Sequence, residues 1–499
     1  MQPPSAPSLT TPRRAALARR IAGGAALAAA VAALAGCMSM APPYETPALP
    51  VPPSYPADAP DAGAQTADTS WRDTFTDPRL QALIAQALEH NRDLRRAVLQ
   101  VREAQAAYGI QRADAFPTVA AQARVDRSRT PADLSLIGRP LLGSQYQAGL
   151  GLASWEIDFW GRVRSLQDAA LERYLASDAA RRAATIELVA QVAEGYLGLR
   201  ELDERIALAS RTVASRTESL RIFTRRVEVG STSRLDLTQV STLLNQAQAL
   251  AAQLEQARAA QSHALQLLVG APIDLPPVSE RLDAQWLLPD LHAGLPSELL
   301  TRRPDIVAAE HALKATHADI GAARAAFFPR VALTGSLGTA SAELDGLFAS
   351  GSHAWSFSPG VSLPLFDGGR LRSNRDLAEV RRELALADYD KTVQGAFRDV
   401  SDALSARRWL TAQAALAQAA QSVQAERARL AQLRYDRGAA AFLEVLEAQR
   451  DLLTAEQQLV QVRRALLSSR VSLYAALGGG IPAAADEQAA LPSLGNTRP

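Results

Sequence analysis

Two stretches of the sequence, residues 162–229 and 370–437, contain no proline and almost no glycine. Within the first, apolar residues recur every three or four positions, as in Val189, Val192 and Tyr196. This is the spacing of an amphipathic helix. At 1.5 Å per residue, each stretch predicts a single helix of about 100 Å. Compact globular domains do not accommodate such helices, so we predict a mainly α, elongated architecture.

The two stretches belong to an internal duplication. Asp93 and Asp305 are 212 positions apart, whereas Gly230 and Gly438, which follow the two stretches, are 208 positions apart. A unit of about 200 residues is too long for a solenoid repeat, so the chain is predicted to hold two copies of one larger unit. The predicted parts are a first repeat of residues 71–271, a linker of residues 272–296, a second repeat of residues 297–480 and a tail of residues 481–499.

Each repeat is predicted to contain a helix, two strands, the long helix and a shorter returning helix. The first helix covers about residues 77–115, or 304–327 in the second copy, and ends before a proline. Residues 145–155 and 355–365 combine glycine with alternating small or polar residues, which is typical of strands in a membrane barrel. The helix lengths predict that the two shorter helices of a repeat stack end to end along the long one.

The first residues of the chain have the pattern of a bacterial export signal. Four arginines precede an apolar run that ends in Leu-Ala-Gly before Cys37, the only cysteine. A charged start, a short apolar run and small residues at its end indicate a signal peptide, residues 1–36. The last four residues resemble the lipobox, in which the cysteine is lipidated, so we predict a lipid anchor at Cys37. The proline-rich residues 37–70 then form an extended tether.

The composition excludes several classes of function. The net charge is +1, which is unlike a nucleic-acid-binding protein. The sequence contains neither the HExxH and GxSxG motifs nor a phosphate-binding loop. We therefore predict no catalytic activity, no cofactor and no metal site.

Three segments carry a resemblance to a known family. They are residues 75–80 (Phe-Thr-Asp-Pro-Arg-Leu), 302–306 (Arg-Arg-Pro-Asp-Ile) and 435–438 (Tyr-Asp-Arg-Gly). They resemble the TolC-like outer membrane efflux channels, in the lipoprotein branch called OprM-like or NodT. The resemblance covers nearly the whole mature chain. It implies duplicated long-helix hairpins that form a periplasmic α-helical barrel, and four strands per chain in a trimeric, twelve-stranded outer-membrane β-barrel.

The resemblance also implies function and partners. The chain is expected to be a homotrimer that is lipid-anchored in the outer membrane, extends into the periplasm and passively conducts small molecules. Its expected partners are a periplasmic adaptor (membrane fusion) protein and an inner-membrane efflux pump of the RND type. Two alternatives stay open from the residues alone: a conduit for secreted proteins, and a periplasmic scaffold lipoprotein without a pore.

The candidate functional residues lie around the two turns. The resemblance places Gly230 and Gly438 at the periplasmic tip, and sharp reversals there favour glycines with positive φ. The gating candidates are Asp236, Tyr435, Arg437, Glu444 and Glu447. Inward-facing carboxylates from three subunits would form acidic rings that close the tip and select cations. The alternative is that these acids are solvated residues that stabilise helix N-termini.

Overall fold

The computed structural model describes residues 40–55, 64–65, 70–278, 281, 291–292, 297 and 299–479. Cys37 and its predicted lipid anchor lie outside these residues. The chain divides into two compact units. The first contains Glu103–Leu175 and His311–Ala387, together with residues 40–46. The second contains the described residues within Pro47–Arg102, Ala176–Glu310 and Asp388–Pro499.

Helices make up most of the described chain. They are α1 (Trp71–Thr74), α2 (Pro78–His90), α3 (Arg92–Ala113), α4 (Arg162–Glu228), α5 (Arg234–Val269), α6 (Leu299–Arg302), α7 (Pro304–Ala325), α8 (Arg370–Asp436) and α9 (Phe442–Ala476). The two predicted long helices are confirmed as α4 and α8, each of 67 residues. Among the described residues, no helix combines the length and apolarity needed to cross a membrane.

The helix predicted over residues 77–115 is wrong in one respect, because it is broken at Asn91. The backbone N–H of Asn91 still bonds to Ala87, but its φ and ψ of −60° and 131° are extended. Its side chain accepts a hydrogen bond from the N–H of Leu94 at 2.8 Å and so caps α3. Its amide also donates to the carbonyl of Leu268 at 2.7 Å. A bond to a distant part of the chain therefore stabilises a break that local helix propensity does not predict.

The break is where the two shorter helices of the first repeat meet end to end, as predicted. Gly270, which ends α5 with φ of 75°, lies directly against the backbone of His90 and Asn91. In the second repeat Gly478, with φ of 95°, lies in the same way against the carbonyl of Arg302. The same arrangement therefore occurs in both repeats: a glycine at the end of the returning helix allows that helix to contact the backbone of the earlier, outgoing segment.

The first unit contains a four-stranded antiparallel sheet in the order β2–β3–β5–β6. Its strands are β2 (Val119–Thr130), β3 (Leu141–Ile157), β5 (Arg330–Ser341) and β6 (His353–Ser362). The predicted number of four strands is confirmed. The two strands that were predicted by position, 145–155 and 355–365, correspond to β3 and β6, and β6 begins two residues earlier and ends three residues earlier than predicted. The pairing ends at Ser362, which lies opposite Arg330, the first residue of β5. In the second unit, β1 (Ala64–Gln65) and β4 (Leu291–His292) form a short parallel pair.

The core of the second unit surrounds large aromatic side chains. Phe75, Tyr196 and Tyr474 are fully buried there, and the rings of Phe75 and Tyr474 meet edge to face at 5.4 Å. The hydroxyl of Tyr196 donates to the carboxylate of Asp77 at 2.7 Å, so its polar tip is satisfied inside the core. Burial is the main reason that the pKa of Tyr196 is raised, and the Asp77 carboxylate adds to the effect.

Candidate functional site

Two helix–turn–helix hairpins form the candidate site, and both lie in the second unit. Hairpin 1 is the end of α4, the turn 229–233 and the start of α5; hairpin 2 is the end of α8, the turn 437–441 and the start of α9. The predicted turn glycines are confirmed, because Gly230 has φ of 70° and Gly438 has φ of 75°. The N–H of Ser231 bonds to the carbonyl of Arg226 at 2.8 Å, and the N–H of Ala439 bonds to that of Arg434 at 2.8 Å. Both turns are therefore Schellman motifs with the same backbone geometry.

The side chains of the two turns differ. In hairpin 1, Asp236 and Ser233 form a capping box. The N–H of Asp236 donates a hydrogen bond to the Ser233 hydroxyl at 3.1 Å, and the Asp236 carboxylate accepts a hydrogen bond from the same hydroxyl at 2.7 Å. Thr232 donates a further hydrogen bond to this carboxylate at 2.9 Å. Hydrogen bonds from Ser233 and Thr232 lower the pKa of Asp236. The carboxylate of Asp236 is thus used to cap α5 within its own turn.

Hairpin 2 lacks such a cap. Its N-cap residue is Ala441, whose side chain cannot accept a hydrogen bond from the backbone of α9. Glu444, which corresponds to Asp236, instead accepts a hydrogen bond from Arg434 across the turn at 2.5 Å. Arg437 and Glu447 are exposed. Asp236 is thus positioned by hairpin 1, whereas Glu444 and Glu447 are positioned by hairpin 2.

The contact between the two hairpins is aromatic. The rings of Phe223 in hairpin 1 and Phe442 in hairpin 2 are 4.5 Å apart, and the ring of Tyr435 is 4.9 Å from that of Phe442. The guanidinium of Arg226 donates a hydrogen bond to the hydroxyl of Tyr435 and lies 5.7 Å from its ring. We call Phe223, Arg226, Tyr435 and Phe442 the tip junction. Of the predicted site residues, only Tyr435 belongs to it.

Sequence reasoning missed the other members of the tip junction. Phe223 carried a usable signal, since it is the only aromatic residue between residues 211 and 229, which are otherwise mostly polar. It is also almost fully buried, at 4 % exposure. Arg226 carried none, because exposed arginines are frequent throughout α4.

Above the tip junction, α4 and α9 are joined by polar pairs. The Glu194 carboxylate accepts hydrogen bonds from Ser468 at 2.7 Å and from Arg464 at 3.2 Å. Nearer the tip, Arg205 donates to the Gln457 side chain at 2.6 Å, and the Gln457 amide donates back to the Arg205 carbonyl at 3.1 Å. The interface between the hairpins therefore contains hydrogen-bonded polar pairs in addition to the aromatic tip junction.

These contacts can be made and broken without covalent chemistry. Tilted ring contacts and one guanidinium–hydroxyl bond hold the two hairpins together, and each contact is of moderate strength. In the part of the chain that the structure describes, no group of three or more metal-ligating side chains comes together. The arrangement is suited to a mechanical junction between helices.

Comparison with known proteins identifies close relatives. The model of the family "Outer membrane efflux protein" matches residues 83–271 and 295–479. The toluene efflux pump outer membrane protein TtgI of Pseudomonas putida is 44 % identical over 459 residues, covering 90 % of this chain and 96 % of TtgI. The outer membrane protein OprJ of Pseudomonas aeruginosa is 44 % identical over 453 residues, covering 90 % of this chain and 94 % of OprJ.

Solved structures show the same architecture. The open state of the MtrE outer membrane channel of Neisseria gonorrhoeae superposes with a TM-score of 0.82 at 38 % identity, covering 89 % of this chain and 98 % of that one. A membrane protein from Pseudomonas aeruginosa superposes equally well, with a TM-score of 0.82 at 43 % identity. It covers 89 % of this chain and 98 % of the other.

Proposed function

This chain belongs to the outer membrane efflux protein family, and from this premise we propose that three copies of it form the exit duct of a tripartite pump. As an efflux channel of the outer membrane, it provides a passive path, and an inner-membrane pump of the RND type supplies the energy. A periplasmic adaptor connects the two. Small toxic compounds are the proposed cargo, because the relatives include efflux proteins named for toluene and for antibiotics. We assign the chain no catalytic activity.

The observation that carries this proposal is an exposed apolar row on one face of the sheet. Leu150 of β3 pairs with Leu337 of β5, which pairs with Trp355 of β6. All three side chains are more than half exposed, although they are among the most apolar in the chain. Large exposed apolar rows signal contact with lipid or protein. The adjacent pair on the other face, Ser336 and Ser356, is polar, which matches the alternation of outer-membrane strands.

The helices of the second unit also leave a surface that a second copy of the chain covers. Cross-helix bonds give the order α5–α4–α9–α8, since α5 bonds to α4 through Gln261 and Gly195, and α9 bonds to α8 through Arg463 and Gln418. The outer helices α5 and α8 are unusually poor in charge. Neither residues 237–254 of α5 nor residues 409–425 of α8 contain a charged side chain.

The exposed side chains on the outer face of α8 are bulky, whereas those on the outer face of α5 are small, so the two faces are complementary. On α8, Trp409, Leu416 and Val423 recur every seven residues and are 55 %, 71 % and 66 % exposed. On α5 the exposed positions include Ala249 and Ala252. A bulky stripe that packs into an alanine stripe is the contact of an antiparallel coiled coil. Because this contact joins different faces, it is heterologous, and a heterologous contact forms a closed ring when its rotation closes, as the proposed trimer requires.

Cysteine pairs test this subunit contact. Leu416 lies 20 positions from the end of α8 and Ala252 lies 18 positions from the start of α5, so both are about 30 Å from the tip. Leu416→Cys with Ala252→Cys is expected to give covalent dimers and trimers on a non-reducing gel. The control pair is Leu416→Cys with Arg211→Cys, an exposed position on α4. Equal cross-linking of both pairs, or none of either, would contradict the contact.

We further propose that the tip junction is the gate of the channel. The bond from Arg226 to Tyr435 and the ring contact between Phe223 and Phe442 hold hairpin 2 against hairpin 1. Release of these contacts lets the hairpins part and widens the tip. Glu444, Glu447 and Arg437 are proposed as ring residues in the trimer, whereas Asp236 acts mainly by stabilising the turn. Both turns are also proposed contact points for the adaptor.

Single-channel currents in planar bilayers test both the pore and the gate. The native trimer is expected to pass small currents, and Arg226→Ala or Tyr435→Phe is expected to increase the open probability several-fold. Arg221→Ala is the matched control, because Arg221 is an exposed arginine of α4 that bonds to Glu218 within the same helix. No current from any folded trimer would support the scaffold alternative. Equal currents from all variants would support the pore but contradict the assignment of the tip junction as its gate.

Lipidation of Cys37 is proposed separately, from the position of this single cysteine after the apolar run. An anchor there would hold the chain at the inner leaflet of the outer membrane. The intact mass of the mature protein tests it. A mature chain that begins at Cys37 and carries the added mass of acyl chains is expected, and an unmodified cysteine would contradict the assignment.

A further inference from the structure

Several buried polar atoms between α4 and α9 have no hydrogen-bond partner among the described residues, including Glu194 Oε1, Arg464 Nε and two atoms of Arg216. Arg216 of α4 is a buried residue, with 3 % of its surface exposed. In the described chain, its Nε and Nη1 atoms are buried and have no hydrogen-bond partner. A buried polar group without a partner normally costs free energy, and a buried charge costs more.

The position of Arg216 is a core position of the helix seam. Ala209 lies seven residues before it and Phe223 seven residues after it, and both are buried. In a packed helix seam, positions at this spacing face the neighbouring helix. Arg216 therefore occupies a place that its neighbours in the seam fill with apolar side chains. The corresponding residue of the second repeat, 208 positions later, is the uncharged Gln424.

The surroundings do not neutralise this charge. Burial lowers the pKa of Arg216, and the positive charge of Arg450 in α9 adds to this effect. The carboxylate of Asp451 lies next to Arg450, but it accepts hydrogen bonds from Arg450 at 2.9 Å and from Arg427 at 2.7 Å. Arg216 is thus left facing a like charge across the interface between the hairpins.

We propose that Arg216 weakens the packing of hairpin 1 against hairpin 2 and thereby sets how easily the tip opens. This inference rests on the proposed gate. Two segments of the interface hold the hairpins together, the polar pairs around Arg205 and the tip junction around Phe223, and Arg216 lies between them. Separation of the hairpins admits water to its guanidinium and moves it away from Arg450. The closed state therefore bears an electrostatic cost that the open state does not.

The test removes the charge of Arg216 but keeps a side chain of similar size. Arg216→Met keeps the length of the side chain, and buried charges are often replaced by apolar residues with a gain in stability. In the full-length trimer, we expect the thermal midpoint to rise by roughly 2–4 °C. We expect the open probability in bilayers to fall on the order of tenfold, which corresponds to about 1.4 kcal/mol. Arg216→Lys is expected to retain the native behaviour.

Two further variants serve as a second replacement of Arg216 and as a surface control. Arg216→Gln copies the residue of the second repeat and should act in the same direction if the methionine variant does not fold. Arg221→Met, on the exposed face of α4, should change neither property. A raised thermal midpoint with unchanged currents would overturn the role of Arg216 in channel opening, although it would still show that its buried charge destabilises the packing of the hairpins. A lowered or unchanged midpoint would overturn the inference itself.

The outcome is separable from that of the gate proposal. If Arg226→Ala does not raise the current, the gate assignment fails whatever Arg216 does. If Arg226→Ala raises the current and Arg216→Met does not lower it, the gate stands and Arg216 has no part in it. Combining Arg216→Met with Arg226→Ala is expected to return the open probability towards the native value.

Discussion

Gly270→Ala is expected to destabilise the protein by roughly 2–4 kcal/mol, through backbone strain and overpacking together. Gly270 has φ of 75°, a conformation that residues with a Cβ rarely adopt. An added Cβ would lie 2.6 Å from the carbonyl oxygen of His90 and 3.2 Å from the Cα of Asn91. Neither atom can move away easily, because both belong to the backbone where α2 ends and α3 begins. Thermal or denaturant unfolding of the purified trimer measures the loss.

Gly230→Ala is the matched control for this change. Its φ of 70° gives similar strain, but nothing lies within 4 Å of the position that the Cβ would take. We expect it to cost only about 1 kcal/mol. Gly478→Ala should behave like Gly270→Ala, because its Cβ would lie 2.7 Å from the carbonyl oxygen of Arg302. Equal losses at Gly230 and Gly270 would show that the end-to-end contact of the short helices is not tightly packed.

Phe223→Ala is expected to have the second large effect, a loss of about 3–5 kcal/mol of stability with a marked increase in channel opening. The side chain is 4 % exposed and contacts Phe442, and it packs in a cluster with Val240 and Leu446. Its removal leaves a cavity between the hairpins and abolishes the ring contact with Phe442 at the tip junction. Unfolding measurements and single-channel currents on the same preparation report the two consequences.

The neighbouring position supplies the control. Ile222→Ala removes a side chain of the same helix that is 38 % exposed, so we expect a loss below about 1 kcal/mol and native currents. A double-mutant cycle with Phe442→Ala is expected to give a coupling of about 0.5–1.5 kcal/mol for the ring pair. Additive losses would show that the two rings do not act together at the tip.

The predicted elements that the structure reproduces are those with local causes. The long helices α4 and α8 were predicted over residues 162–229 and 370–437, and each is one residue shorter at its C-terminal end. Absence of proline, a helical apolar period and a terminal glycine act within a few residues of chain, so they can be recognised in the sequence. The capping box of Asp236 is also local, and Ser233 three positions earlier is its signature.

The break at Asn91 and the tip junction have causes distant in the chain. Asn91 is stabilised by the carbonyl of Leu268, and Arg226 bonds to Tyr435 more than 200 positions away. Which faces of α4 and α9 meet depends on the packing of whole helices. That packing buries Phe223 and leaves Arg216 beside Arg450 without an acid.

Local signals in the chain were therefore sufficient for the lengths of the two long helices, the turn glycines and the positions of β3 and β6, because short-range sterics and hydrogen bonding set them. The identity of the residues that join the hairpins, and the burial of a lone cation between them, depend on tertiary contacts. In a chain with so many arginines, sequence does not distinguish Arg216 from its exposed neighbours, since burial is a property of the assembled helices and not of the residue.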